Sequence, residues 1–156
     1  MDFAERERHI SRYNNGYDAV ATALASITPA ELDRRPAIDA WTPREIVHHL
    51  PDSETNAYVR LRRLVAEDRP TIIAYDEVLW SRRLPYDGPI DAPLAVLKAV
   101  REASSQLLSR LTAEQWEREG THSESGAYSV ERWLTIYANH GHDHADQILR
   151  ARQGVA

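Results

Sequence analysis

Cysteine is absent from the 156 residues, which excludes a disulfide framework, a cysteine nucleophile and thiolate metal ligands. Any metal site must therefore use histidine, carboxylate and water. No apolar run approaches the roughly 18 residues of a membrane span. The opening segment MDFAERERHI is charged where a secretory signal would be apolar. These features predict a cytoplasmic protein with no membrane partner. A basic surface is lacking as well: 19 Lys and Arg against 24 Asp and Glu leave a formal net charge of -5. A phosphate backbone finds no face on which to condense, so nucleic acid is not an expected partner. Glycine numbers only 6, and β-branched alternation is scarce.

What remains favours helices, because Ala, Leu, Arg and Glu dominate. A chain of this length buries about two thirds of its unfolded surface around one core without disulfides or an obligatory metal. The expected architecture is all-α, a four-helix bundle formed by one domain over residues 1–156. The first helix is predicted from about Phe3 to Ile27, with a weak point at Asn14-Asn15-Gly16. The second starts at the capping box Thr42-Pro43-Arg44-Glu45 and ends near Glu67. Helix three is placed from about Ala92 to Leu111, with Leu94, Leu97, Val100, Leu107, Leu108 and Leu111 inward. The fourth covers Ser129 to Ala151. Thr28-Pro29-Ala30-Glu31 and Thr112-Ala113-Glu114-Gln115 echo one another ahead of two irregular stretches, which indicates two helix pairs of similar build.

The fourth helix carries the chemistry. At ~100° per residue, Trp133, Ile136, Tyr137, His140, His144, Gln147, Ile148 and Ala151 share one side. Two imidazoles one turn apart thus face the core, and their nitrogens must be satisfied. A divalent ion is one solution, since neutral imidazole is the commonest metal ligand; hydrogen-bonded core histidines are the other. A third ligand would have to come from a facing helix. His49 is the strong candidate, on a polar ridge with Ser53, Asn56 and Arg60 beside the apolar stripe of helix two. His48 and His142 are expected in solvent, as are His9 in the charged N-terminal turn and His122 in a Gly/Ser-rich loop. Three imidazoles leave coordination positions open for water or substrate.

The run Trp41-Thr42-Pro43-Arg44-Glu45-Ile46-Val47-His48-His49-Leu50-Pro51-Asp52-Ser53-Glu54, with His140-Gly141-His142-Asp143-His144-Ala145-Asp146-Gln147-Ile148, resembles the DinB-like superfamily. More closely it is similar to the YfiT branch of metal-dependent hydrolases and bacillithiol transferases. The resemblance extends over nearly the whole chain, including Asn56, Arg60, Pro70-Thr71-Ile72 and Tyr75-Asp76-Glu77. It implies a four-helix bundle holding nickel or zinc on His49, His140 and His144. With the apolar Val78, Leu79 and Leu84, it also implies a homodimer. Pro51 departs from the family's usual small residue and is expected to free the Val47 carbonyl and kink helix two.

An open divalent ion acidifies a bound water or thiol, or polarises a carbonyl. No His-Glu-x-x-His pattern, serine-nucleophile motif or phosphate loop is present. The expected activity is therefore transfer of a low-molecular-weight thiol to an electrophilic small molecule, an expectation that rests mainly on the family resemblance. Ser53, Asn56, Arg60 and Tyr75 would line the pocket, with Arg60 and Asn56 the candidates for a direct part in the reaction. Metal-dependent hydrolysis of a small ester or amide is the alternative enzyme; a non-catalytic metal-binding, stress-related bundle is the alternative of another class.

Overall fold

The computed structural model describes all residues 1–156. Eight helices, α1 (Phe3–Asn14), α2 (Gly16–Ala23), α3 (Pro29–Leu32), α4 (Pro43–Ala66), α5 (Glu77–Arg83), α6 (Asp91–Leu108), α7 (Ala113–Trp116) and α8 (Val130–Gln153), are joined by three short strands, β1 (Thr71–Ile72), β2 (Glu119–His122) and β3 (Gly126–Ser129). Local chemistry sets the helix starts. Asp2, Thr28, Thr42, Asp76, Thr112 and Ser129 each accept a first-turn backbone N–H. Thr28, Thr42 and Thr112 complete capping boxes with Glu31, Glu45 and Gln115. The predicted echo between residues 28–32 and 112–116 thus appears as two capped helices of 4 residues each. At the opposite end of the chain, Gly154 closes α8 in the left-handed conformation, φ 81°.

The four rods are α1/α2, α4, α6 and α8. Helix α8 packs on α1, α2 and α4, while α6 packs on α4 and α1. That arrangement sets α1/α2 diagonal to α4, and α6 diagonal to α8. The ligand-bearing helices α4 and α8 are therefore neighbours. Two apolar clusters fill the bundle. One gathers Tyr13, Leu61, Leu64, Trp133 and Leu134, and the other Val20, Ile46, Leu50, Leu97 and Ile148. Between them lies a polar layer of His49, Ser53 and Glu54 from α4 and Arg101 and Ser104 from α6, all buried, with His140 and His144 of α8 at its edge.

Several expectations need correction. The region from 119 to 129, read as irregular, is a β-hairpin that pairs antiparallel, Gly120 opposite Tyr128. Its first strand β2, central in the sheet, pairs parallel with β1, Thr71 opposite Thr121. Gly120 is required there, because a Cβ would lie 2.3 Å from the Pro70 carbonyl oxygen. Helix one is divided at Asn15 into α1 and α2. Ile136, placed inward by the wheel, is 43% exposed, and Leu134 is buried in its stead. As expected, α4 runs on past Pro51, to Ala66.

Thr42 both caps α4 and is buried beside Trp41. Its hydroxyl accepts from Glu45 N at 3.2 Å, and Glu45 Oε2 accepts from Thr42 N at 2.8 Å. Thr42→Ala is expected to cost about 1 kcal/mol, read as a lower urea midpoint at unchanged m-value.

Candidate metal centre

The three histidines selected from the sequence converge. Each of His49, His140 and His144 offers a ring nitrogen lying within 4.8 Å of the other two. Ring centroids are 5.8 Å apart for His49 and His140, 4.9 Å for His49 and His144, and 4.7 Å for His140 and His144. The i,i+4 spacing on α8 stacks two rings on one face, and α4 brings the third across the helix interface.

Outer contacts orient two of the rings. His140 Nδ1 lies 3.1 Å from Glu54 Oε1, and His144 Nδ1 lies 2.7 Å from Gln147 Oε1. Both oxygens accept, so each Nδ1 carries the proton and each Nε2 keeps a lone pair for an ion. Burial, then the proximity of His144 and His140, pushes the His49 pKa down to about 3. Burial, with His140, likewise holds His144 at about 4. Both rings are thus neutral near pH 7, the state that binds a metal. Trp41 covers one flank, its ring centroid 4.7 Å from that of His49. The donor set fits a divalent ion: three imidazoles, two with their outer nitrogen already bonded, and no thiolate.

Gln147, on the inner side of the helix as expected, fixes a ring of its own helix. Glu54 and Arg101 carried no expected role, and both are buried in the polar layer. Burial alone would raise the Glu54 pKa, but the Arg101 charge and the His140 hydrogen bond outweigh it and lower the value. Glu54 is therefore a carboxylate. His48 departs from its expectation: it is half-buried, Nε2 3.1 Å from the Gly88 carbonyl oxygen, and stacked on Tyr86 at 5.6 Å. His142 meets the Arg12 carbonyl at 2.9 Å. His122 ends strand β2 and accepts from Glu124 N at 3.3 Å. Neither these three nor the half-buried His9 of α1 joins the cluster.

The expected pocket residues divide into two groups. Ser53 is buried, and burial pushes the Tyr75 phenol up to about 12, its hydroxyl having no hydrogen-bond partner. Arg60 donates to the Tyr137 hydroxyl at 3.2 Å and the Ile73 carbonyl at 3.1 Å. Tyr137 in turn packs edge-on against His140, centroids 5.6 Å apart. Asn56 turns back to donate to the Asp52 carbonyl at 2.8 Å. Arg60 and Asn56 border a groove of about 340 Å³ with Val59, Ile72 and Ile73. No histidine lines that groove; Tyr137 bridges Arg60 to the imidazole cluster.

The sequence model of the DinB superfamily matches residues 12–148. The chain belongs to that superfamily. Among curated DinB relatives, a protein of Oceanobacillus iheyensis named "Putative metal-dependent hydrolase" is 37% identical over 118 residues, 76% of this chain and 69% of the relative. One of the same name from Halalkalibacterium halodurans is 31% identical over 126 residues, 81% and 74% of the two chains. YfiT from Bacillus subtilis, described as a probable metal-dependent hydrolase with an unusual four-helix bundle topology, superposes with a TM-score of 0.90 at 28% identity. That match covers 100% of this chain and 91% of YfiT. The DinB four-helix bundle is the fold expected from the sequence, and the minor sheet is an addition to it. No helix is long and apolar enough to cross a membrane.

Proposed function

We propose that this DinB-superfamily chain is a metal-dependent enzyme acting on a small molecule, with His49, His140 and His144 holding one nickel or zinc ion. The convergence of the three imidazoles within 4.8 Å carries the reading, and the names of the relatives support it. When bound, a divalent ion on three neutral ligands acidifies a thiol or water and polarises an electrophile.

The favoured reaction is transfer of a low-molecular-weight thiol to an electrophilic small molecule. Asp52 and Glu54, the first carboxylates after His49 on α4, are both engaged. Asp52 accepts from the Tyr86 hydroxyl at 2.6 Å, and Glu54 is held by Arg101 and His140. Neither is free to act as the base that a hydrolase would use on water. In the transfer the thiol proton passes to solvent, the sulfur–carbon bond forms, and the leaving group departs with its electron pair. Ser53 and Tyr75 would line the pocket, while Arg60 and Asn56 at the groove suit an anionic group of the thiol or acceptor. Hydrolysis of a small ester or amide is the second reading, favoured by the relatives' names. A homodimer remains part of the proposal, through Val78, Leu79 and Leu84, which are 53%, 38% and 42% exposed.

The test incubates metal-loaded protein with several low-molecular-weight thiols and a chlorodinitrobenzene. Thiol conjugate and chloride should form well above the uncatalysed background, and a chelator should return the rate to that background. Ester or amide cleavage without thiol, in the absence of thiol-dependent turnover, would replace transfer by hydrolysis.

A further inference from the structure

The polar layer contains an ion pair that the metal ligands do not explain. Glu54 of α4 and Arg101 of α6 are 1% and 3% exposed, and buried pairs of this kind are often matched or bettered in stability by apolar residues. Their geometry is not that of a pair arranged for its own strength. An arginine fork and a carboxylate bind best through two parallel hydrogen bonds. Here Arg101 Nη1 and His140 Nδ1 both reach the same oxygen, Oε1, while Glu54 Oε2 and Arg101 Nε have no hydrogen-bond partner. The carboxylate is turned so that the oxygen Arg101 grips is the one that touches His140.

Arg101 is itself anchored from the first rod. Its Nη2 donates to the Tyr13 carbonyl at 2.5 Å, and the guanidinium lies over the Tyr13 ring at 4.0 Å. Tyr13 stands at the end of α1, just before the break at Asn15. Gly16, the first residue of α2, leaves the room: a Cβ there would lie 2.4 Å from Arg101 Nη2. The break, the glycine and the arginine thus form a chain of contacts ending on one imidazole. His144 has no such chain behind it, only the neutral amide of Gln147.

We infer that Glu54 and Arg101 are positioning residues for the ion, fixing His140 in the Nδ1–H tautomer and strengthening it as a donor over His144. The inference rests on the proposed metal-binding reading, and the experiment separates the two. Nickel and zinc affinities are measured by chelator competition for wild type, Glu54→Gln and the double variant Glu54→Gln/Arg101→Met, alongside melting of each apoprotein. Glu54→Gln should weaken binding by about 10–100-fold and also lower the melting temperature, because it strands the Arg101 charge. The double variant removes both charges; its melting temperature should recover towards wild type while its affinity stays reduced. Recovery of both would make the pair a folding element only and overturn the inference. Wild-type protein that takes up neither metal overturns this inference together with the metal-binding reading, whereas tight wild-type binding shared by both variants overturns this inference alone. A readout free of mutation is the ring nitrogen spectrum of wild-type apoprotein at pH 8. It should show His140 protonated at Nδ1, and protonation at Nε2 contradicts the arrangement.

Discussion

Replacing His49 with alanine is expected to empty the metal centre while leaving the bundle folded. His49 is the one ring that α4 contributes. Without it, two imidazoles remain on a single face of α8 and nothing opposes them across the interface. The loss of affinity should exceed the roughly 10–100-fold that removal of an outer partner costs, so protein purified without an affinity tag should carry almost no ion. Helix content by circular dichroism should hardly change, because the apolar clusters on either side of the polar layer do not include His49. A chain of this size also folds without a structural metal. His144→Ala should behave in the same way. Wild-type metal content in His49→Ala would remove α4 from the site and with it the proposed chemistry.

Trp133→Ala should have the largest effect on stability. The side chain is fully buried, its Nε1–H donates to the Ala57 carbonyl at 2.9 Å, and its ring packs on Tyr13 at 5.4 Å and Tyr137 at 5.0 Å. Truncation leaves a cavity and removes the indole hydrogen bond, although the Ala57 carbonyl keeps its partner within α4, at a cost of about 3–5 kcal/mol. Against a total of roughly 5–15 kcal/mol, that is a major fraction of the folding free energy. The thermal midpoint should fall on the order of 10 °C. Denaturant titration gives the free energy directly; a loss under about 1 kcal/mol would show that α8 is held mainly elsewhere.

The histidine cluster was legible because its signals are local and periodic. His140 and His144 repeat at one helical turn, and His49 lies beside an apolar stripe whose start is marked by a complete capping box. The second tier was legible in the same way, had the stripes been read for charge as well as for hydrophobes. On α4 the buried sequence Leu50, Glu54, Ala57, Leu61, Leu64 steps by fours and threes, and on α6 Leu97, Arg101, Ser104, Leu108 does likewise. A glutamate in one core stripe and an arginine in another point to a buried pair. Choosing only apolar positions for α6 turned its inner face towards Val100 and Leu107, which are only half-buried. The sheet left a weaker trace. Its strands have 2, 4 and 4 residues, too short for alternation to emerge, and its pairing depends on contacts some fifty positions apart, such as Thr71 with Thr121. Ile136 shows the limit of the wheel, since a direction near the edge of the inward arc does not say which neighbour covers it.

The diagonal placement of the first two rods has a consequence for how the molecule is made. During synthesis α1, α2 and α4 emerge early but lack a shared face, and the helix that packs against all three is the last of the eight. His49 must therefore wait through most of translation with no partner rings in reach. Under the proposed metal-binding reading, capture of the ion belongs to the end of folding, after α8 has docked, and a nascent chain stalled before that helix should compete for cellular metal no better than any unfolded peptide.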